Sequence, residues 1–164
     1  KMGTIRDRGK GKLIIKGVVS SADMKKAIKL GMDGVIISNH GGRQLDAGEA
    51  TISTLRRLAW HYGDQMEIMM DGGLRSGPDI ARVMATGAAF TFMGRPFMYG
   101  VAALGKQGGT HTISMLKTQL QQVLEQLGCS APRELYRHYR ARNWRRPGTA
   151  VSRHLCDASG LSEK

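Results

Sequence analysis

Four short apolar segments divide the middle of the chain, and each is apolar at consecutive positions rather than at alternate ones. The segments are residues 13–16, 34–38, 67–71 and 89–94. Uninterrupted apolar runs of this length are typical of parallel β-strands that are covered on both faces. Each run ends in a polar residue or a glycine, so the sequence predicts four strands that each lead into a polar loop.

Helical patterns lie between and after these runs. Ser20 with Asp23 three residues later predicts one helix start, and Ser76 followed by Pro78 predicts another. Further helices are predicted over residues 50–62, 96–104 and 131–140, together with a long one that ends before Gly128. The alternation of strands and helices predicts four consecutive βα units.

Repeated βα units build either an open doubly wound sheet or a (βα)8 TIM barrel. A barrel needs about 250 residues, whereas this chain has 164 residues and four predicted units. As a barrel, the chain would supply half of the strands and leave two unpaired edges that can pair with another chain. We predict an α/β fold over residues 1–140, which are half of a barrel if the sheet is of that kind, and a basic extension over residues 141–164.

The positive charge of the chain is concentrated at its two ends. Six of its 25 Lys and Arg residues lie within residues 1–16 and seven within residues 133–153, and the formal net charge is +12. Basic ends can bind phosphate backbones. No aromatic-rich RNA motif or zinc-finger spacing accompanies them, so we do not expect nucleic-acid binding.

Composition also limits the compartment and the metal chemistry. No apolar run approaches the roughly 18–20 residues of a membrane-spanning helix, so no span is expected. Cys129 and Cys156 lie far apart without further cysteines, so neither a disulfide framework nor a metal site is predicted. We expect an intracellular, reducing compartment, with the cytoplasm preferred and the mitochondrion as the alternative, because the C-terminal Ser-Glu-Lys is not a peroxisomal signal.

Two glycine-containing loops follow the third and fourth predicted strands. The first loop is Asp71-Gly72-Gly73-Leu74-Arg75, and the second is Gly94-Arg95 at the start of a predicted helix. Glycines let backbone N–H groups approach an anion, and a helix N-terminus carries a partial positive charge. Two such loops on neighbouring strands predict a phosphate site to which Arg75 and Arg95 add charged donors. The alternative is that these glycines only form turns.

The segment Ser38-Asn39-His40-Gly41-Gly42-Arg43-Gln44-Leu45-Asp46 follows the second strand. His40 can act as a general base near neutral pH, and Arg43 can hold a carboxylate with two hydrogen bonds. The alternative is a purely structural histidine. Lys16 ends the first strand, where a cation is costly unless it faces a ligand or a carboxylate, and Asp71 is the candidate salt-bridge partner.

These strings closely resemble the FMN-dependent α-hydroxy-acid dehydrogenase/oxidase family, which includes glycolate oxidase, lactate oxidase, mandelate dehydrogenase and the flavin domain of flavocytochrome b2. The motifs that carry the resemblance are Ile15–Val18, Ser38–Asp46, Asp71–Asp79 and Met93–Pro96. The match runs in order from about residue 13 to residue 128. The resemblance implies a (βα)8 barrel in which this chain forms strands five to eight with their helices.

The resemblance also implies the ligands. The cofactor would be FMN and the substrate an (S)-2-hydroxy acid, such as lactate, glycolate or mandelate, that is oxidised to the 2-oxo acid. His40 would be the base and Arg43 would hold the substrate carboxylate. The residues implied to bind the cofactor are Lys16, Ser38, Asp71, Gly72, Gly73, Leu74, Arg75, Gly94 and Arg95.

Within this set, Lys16 would lie against the N1/O2 edge of the flavin and Asp71 would bind the ribityl chain. Gly94 and Arg95 would close on the phosphate. Whether His40 takes the hydroxyl proton during hydride transfer or the α-proton to give a carbanion stays open, as does the electron acceptor. The remainder of the barrel, or a homo-oligomer such as a tetramer, would be the protein partner.

The chain lacks the first four strands of the family, and with them the carboxylate that orients the catalytic histidine. Two other interpretations therefore stay open. One is another FMN- or phosphate-binding barrel enzyme, such as an isomerase or a nucleotide dehydrogenase. The other is a non-catalytic half-barrel fragment or basic binding module.

Overall fold

The computed structural model describes residues 2–138, which contain one four-stranded parallel sheet. Its strands are β1 (Ile14–Val18), β2 (Gly34–Ile37), β3 (Glu67–Met70) and β4 (Phe90–Thr91). The strands pair in the order β1-β2-β3-β4. A doubly wound sheet reverses its strand order at a switch point, whereas a (βα)8 barrel keeps the order of the chain. The observed order is therefore that of consecutive barrel strands.

The helices alternate with these strands, as predicted. They are α1 (Met2–Arg8), α2 (Ser21–Lys29), α3 (Thr51–Tyr62), α4 (Gly77–Ala85), α5 (Arg95–Leu104) and α6 (Gly108–Gln126), with 3-10 turns at His40–Gly42, Gly105–Gln107 and Pro132–Arg137. The helix predicted over residues 131–140 is a 3-10 turn in its described part. The predicted boundary at residue 140 and the extension 141–164, which includes Cys156, lie outside the described residues.

Side-chain caps fix where two of the helices begin. The Ser20 hydroxyl accepts a hydrogen bond from the Asp23 N–H (3.1 Å) at the start of α2. At the start of α4, Ser76 and Asp79 form a reciprocal capping box, and Pro78 lies in the first turn. A cap of this kind contributes about 1 kcal/mol. The second cap also sets the direction in which the loop after β3 enters its helix.

The hydrophobic core lies between one face of the sheet and helices α2, α3 and α4. Val35 and Ile37 of β2 are fully buried there, and Ile68 and Met70 of β3 join them. Side chains alternate between the faces of a strand, so every second residue of β2 and β3 enters this core. Leu55 is one of the fully buried helix residues that cover it.

The opposite face of the sheet departs from the prediction that both faces are covered. Ile36, Met69 and Phe90 lie in register across β2, β3 and β4 on that face. Phe90 is 58% exposed, and Ile14 of β1 is 46% exposed. The strands are apolar at consecutive positions because their second face is the interior side of the sheet, where Met69 is 9% exposed but the described residues leave Ile14 and Phe90 open towards the sheet edges.

Helix α6 packs behind the helices that begin at both glycine loops. The Gly77 N–H at the start of α4 donates to Gln119 Oε1 of α6 (2.8 Å). A Cβ on Gly77 would lie 2.4 Å from the Leu120 nitrogen, so the two helices touch backbone to backbone. Gly100 of α5 and Gly108 of α6 make a similar close approach, which a side chain on either residue would prevent.

The N-terminal basic segment contains a helix, α1, that the sequence analysis did not predict. Arg6 of α1 forms a salt bridge with Asp33 (2.8 Å), and Lys12 forms a second one (3.0 Å). Asp33 also accepts a hydrogen bond from the Leu13 N–H (2.8 Å). These bonds, with that of Leu13 the strongest, lower the pKa of Asp33 from 3.8 to about 2.

The described part of the chain contains neither a membrane-spanning helix nor a cluster of metal ligands. No helix within residues 2–138 is long and apolar enough to cross a bilayer. Among the same residues, no group of three or more His, Cys, Asp or Glu side chains is placed to hold a metal ion. Cys129 is a free thiol and is buried.

Candidate functional site

A cavity of about 550 Å³ opens at the carboxyl ends of the strands, where the sequence analysis placed the chemistry. Strand β1 and the loops after β2, β3 and β4 contribute to it. The residues that line it are Lys16, His40, Gly41, Arg43, Gln44, Asp71, Gly72, Gly73, Leu74, Arg75, Phe92, Met93, Gly94, Arg95 and Met98. The predicted base, the predicted carboxylate anchor and both glycine loops therefore border one cavity.

Lys16 is bonded on two sides at the bottom of this site. Its ammonium group lies 2.5 Å from Asp71 Oδ2 and donates to the Ser38 hydroxyl (2.6 Å). Gly17 follows Lys16 with a φ of +95°, and the register with β2 shifts at this point. The shift lets Lys16 face the cavity while Val18, two residues later, is buried in the core. Asp71 is therefore the salt-bridge partner that the sequence analysis named for Lys16.

His40 lies on a tight turn that starts directly after β2. Its φ is +55°, which is rare for a residue with a side chain. The His40 N–H donates to the buried Ser38 hydroxyl (3.1 Å), and the Gly41 N–H donates to Asn39 Oδ1 (3.1 Å). A Cβ on Gly17 would lie 3.3 Å from His40 Cε1, so β1 limits the space behind the imidazole.

Arg43 is exposed and lies at the end of the same turn, on the rim of the cavity. The loop that follows it is anchored at Glu49, whose carboxylate accepts a hydrogen bond from Thr54 (2.8 Å) and pairs with Arg57 (2.9 Å). The Thr54 bond, followed by the Arg57 charge, holds the pKa of Glu49 below its usual value. Glu49 therefore stays ionised near neutral pH and keeps this loop attached to α3.

The two glycine loops leave backbone positions open to the cavity. No atom lies within 4 Å of the place where a Cβ of Gly73 or Gly94 would be. Helix α5 begins after Gly94 without a side-chain cap. Pro96 has no N–H, and the Phe97 and Met98 N–H groups donate to the Gly94 carbonyl, so the Arg95 N–H is the one left to an anion at this helix start. Arg75 and Arg95 supply two cations on the same cavity.

Asp79 holds the first glycine loop in shape. Its carboxylate accepts hydrogen bonds from the Arg75 N–H (3.0 Å) and the Ser76 N–H (3.1 Å). Partial burial alone would raise the pKa of Asp79, but these bonds outweigh it and the pKa lies below its usual value. The carboxylate is consequently ionised at neutral pH and stabilises the turn.

Two of the predicted cofactor residues do not offer their side chains to the cavity in the expected way. Ser38 is 2% exposed and does not border the cavity. It lies beneath the site, where it bonds Lys16 and His40. Leu74 borders the cavity, but its buried side chain belongs to the hydrophobic core. The other predicted residues line the cavity directly.

Several residues of the site were not identified from the sequence. Gln44, Phe92, Met93 and Met98 line the cavity. The Gln44 position was visible within the recognised string, but it carried no separate signal. Phe92, Met93 and Met98 carry no separate signal either, because apolar residues are expected at any position of a predicted strand or helix.

The chemistry of the cavity fits the cofactor implied by the resemblance. Asp71 Oδ1 is buried and has no hydrogen-bond partner among the described residues, so a ligand hydroxyl group would complete its bonding. The open N-terminus of α5 and the two arginines suit a phosphate group. Residues of the site thus provide for both a polyol chain and a phosphate.

Comparison with known proteins identifies the family of the chain. Residues 1–142 match the family model of the FMN-dependent dehydrogenases. The chain is 38% identical over 135 residues to an FMN-dependent alpha-hydroxy acid dehydrogenase of Schizosaccharomyces pombe, which covers 81% of this chain and 33% of that protein. It is 38% identical over 134 residues to a peroxisomal (S)-2-hydroxyacid oxidase of Arabidopsis thaliana, covering 81% of this chain and 37% of the oxidase.

A solved structure gives the same result for the fold. The crystal structure of a mandelate oxidase superposes with a TM-score of 0.79 at 30% identity, and the match covers 83% of this chain and 41% of the oxidase. The chain spans about a third of the length of the curated relatives it matches. The predicted fold, part of a TIM barrel, and the predicted cofactor, FMN, agree with these relatives. The chain belongs to the FMN-dependent dehydrogenase family.

Proposed function

We propose that this chain carries the base, the carboxylate anchor and the phosphate site of an enzyme that oxidises an (S)-2-hydroxy acid to the 2-oxo acid. The observation that carries the proposal is the convergence of His40, Arg43 and both glycine loops on one cavity. The relatives named hydroxyacid dehydrogenases and oxidases support the same reaction class.

Arg43 and His40 have different roles in the proposed reaction, and each role follows from the chemistry of the side chain. Arg43 holds the substrate carboxylate at the rim and so directs the hydroxyl-bearing carbon towards His40. His40 takes a proton from the substrate, and neutral imidazole is the form that can do so. FMN, when bound, supplies the acceptor for the two electrons of the oxidation.

The cofactor side of the site is assigned in the same way. Asp71 Oδ1 would accept a hydrogen bond from a ribityl hydroxyl, and Lys16 would supply positive charge to the flavin ring. The N-terminus of α5 and the guanidinium groups of Arg75 and Arg95 hold the phosphate.

We place the protein inside the cell, where its thiols stay reduced.

The test separates binding from chemistry in the natural assembly of the protein. In His40→Ala, FMN should stay bound while anaerobic bleaching of the flavin by (S)-lactate, glycolate or (S)-mandelate slows by about 10²–10⁴-fold. Arg43→Lys should mainly raise the substrate concentration needed for half-maximal bleaching, because a lysine cannot form the paired bonds. His61→Ala, a change of a histidine on α3 away from the cavity, is the matched control.

The result that refutes the assignment is an undiminished bleaching rate in His40→Ala.

A second candidate function rests on the open interior face of the sheet, where Ile14 and Phe90 are about half exposed. It is a half barrel that binds the cofactor phosphate without turnover. Flavin that binds the wild-type protein but is reduced by none of the three acids favours this candidate.

A further inference from the structure

One bond joins the anion loop after β4 to the turn that carries His40. The Arg95 Nη2 group donates to the Gly41 carbonyl oxygen, across 54 residues of sequence. In the sheet, β4 lies two strands away from β2, a separation of roughly 10 Å. The guanidinium group therefore reaches past the loop after β3 to bond the turn.

The backbone conformation of the turn His40–Gly42 is held by hydrogen bonds from residues outside the turn. His40, Gly41 and Gly42 have φ values of 55°, 69° and 74°. A left-handed conformation at a residue with a side chain persists only where neighbouring groups fix it. Here Ser38 holds the His40 N–H from below, and Arg95 holds the Gly41 carbonyl from the opposite side of the cavity.

Arg95 also belongs to the anion site. It borders the cavity at the uncapped N-terminus of α5. A guanidinium group has five N–H donors in one rigid plane, and the bond to Gly41 uses only one of them. The remaining donors are available to an anion while that bond is kept.

We propose that Arg95 is a positioning residue that couples anion binding at the glycine loops to the shape of the His40 turn. An anion on Arg95 fixes the guanidinium plane, and the fixed plane holds the Gly41 carbonyl more firmly. Coupling between two sites is reciprocal, so an ordered turn also strengthens anion binding. The inference deepens the proposed function and rests on it, since the anion there is the cofactor phosphate.

The experiment uses sulfate as the probe, because sulfate does not change its charge between pH 5 and pH 9. Amide hydrogen exchange is followed by NMR in the full chain, with sodium chloride at equal ionic strength as the reference. Two amides report the turn: His40 N–H bonds Ser38, and Gly42 N–H bonds the Asn39 carbonyl (3.1 Å). Saturating sulfate should slow exchange at both by about tenfold. The Gly94 amide reports whether sulfate occupies the loop.

Two variants separate positioning from simple charge. In Arg95→Lys the charge stays but the planar fork is lost, so sulfate should still affect Gly94 while the slowing at His40 and Gly42 disappears. Arg75→Lys is the matched control, because the Arg75 side chain makes no bond to the turn among the described residues. There the slowing should persist, at a higher sulfate concentration.

The outcomes distinguish this inference from the proposed function. Sulfate that protects Gly94 but leaves His40 and Gly42 unchanged in the wild-type chain overturns the coupling and leaves the phosphate site intact. Sulfate without effect on any of the three amides overturns both. If Arg95→Lys does not fold, as judged by circular dichroism, the wild-type comparison of sulfate with chloride decides alone.

Discussion

Removing the Ser38 hydroxyl should loosen the site and destabilise the fold. In Ser38→Ala, the bonds from the Lys16 ammonium group and from the His40 N–H both disappear. A charge-assisted bond contributes about 1.5–3 kcal/mol and a neutral one about 0.5–1.5 kcal/mol. Lys16 keeps Asp71 as a partner and is partly exposed, so the lower ends apply. We expect a loss of about 2 kcal/mol in the free energy of unfolding.

Urea unfolding measures this loss. With a slope of about 1–3 kcal/mol per molar urea, the midpoint of Ser38→Ala should fall by about 1 M without a change in slope. Ser53→Ala is the control, because Ser53 is exposed on α3 and alanine is favourable in a helix. Equal midpoints for the two variants would show that the Ser38 bonds stabilise neither the fold nor the turn at His40.

Two further predictions concern a titrating group and a close backbone approach. Because the pKa of Asp33 is lowered to about 2, its stabilisation is complete above about pH 4 and is lost as the pH falls from 4 to 2. The urea midpoints of wild type and Asp33→Asn should therefore differ at neutral pH and converge near pH 2; parallel curves would contradict this. Gly72→Ala and Gly73→Ala both place alanine at positive φ, at a cost of about 1–2 kcal/mol. Only the Gly72 substituent would also approach Asn39 Oδ1 (3.0 Å), so Gly72→Ala should be the less stable variant by about 1 kcal/mol and bind FMN more weakly. Equal losses, measured by urea unfolding, would show that this contact carries no energy.

The parts of the fold that the sequence predicts are those set by local physics. The four strands are visible because their residues are apolar in unbroken runs, and the starts of α2 and α4 are visible because Ser20 and Ser76 cap them. Helix α1 is not visible, since it is short and its Arg6 bonds a carboxylate 27 residues away. The predicted last strand shrinks to Phe90–Thr91, because only two of its residues pair with β3.

The candidate site, too, is predictable from the sequence only in part. His40, Arg43 and the glycine loops could be located because each follows a strand directly, and parallel strands end on one side of a sheet. The position of Ser38 beneath Lys16 could not, because it depends on how β1 and β2 pair. Nor could the bond from Arg95 to Gly41, which joins two loops that are distant in the chain.

The glycine contacts of α6 have a consequence for how the affinity for a phosphate ligand can change. Helix α6, of 19 residues, contacts the start of α4 through Gly77 and the middle of α5 through Gly100 and Gly108, and so sets how these two helices are placed relative to each other. A larger residue at these contacts would shift one glycine loop relative to the other while leaving every cavity-lining side chain unchanged. Random mutants that lose flavin binding although their cavity-lining residues are unchanged should therefore carry substitutions along α6 or at the glycines that it contacts.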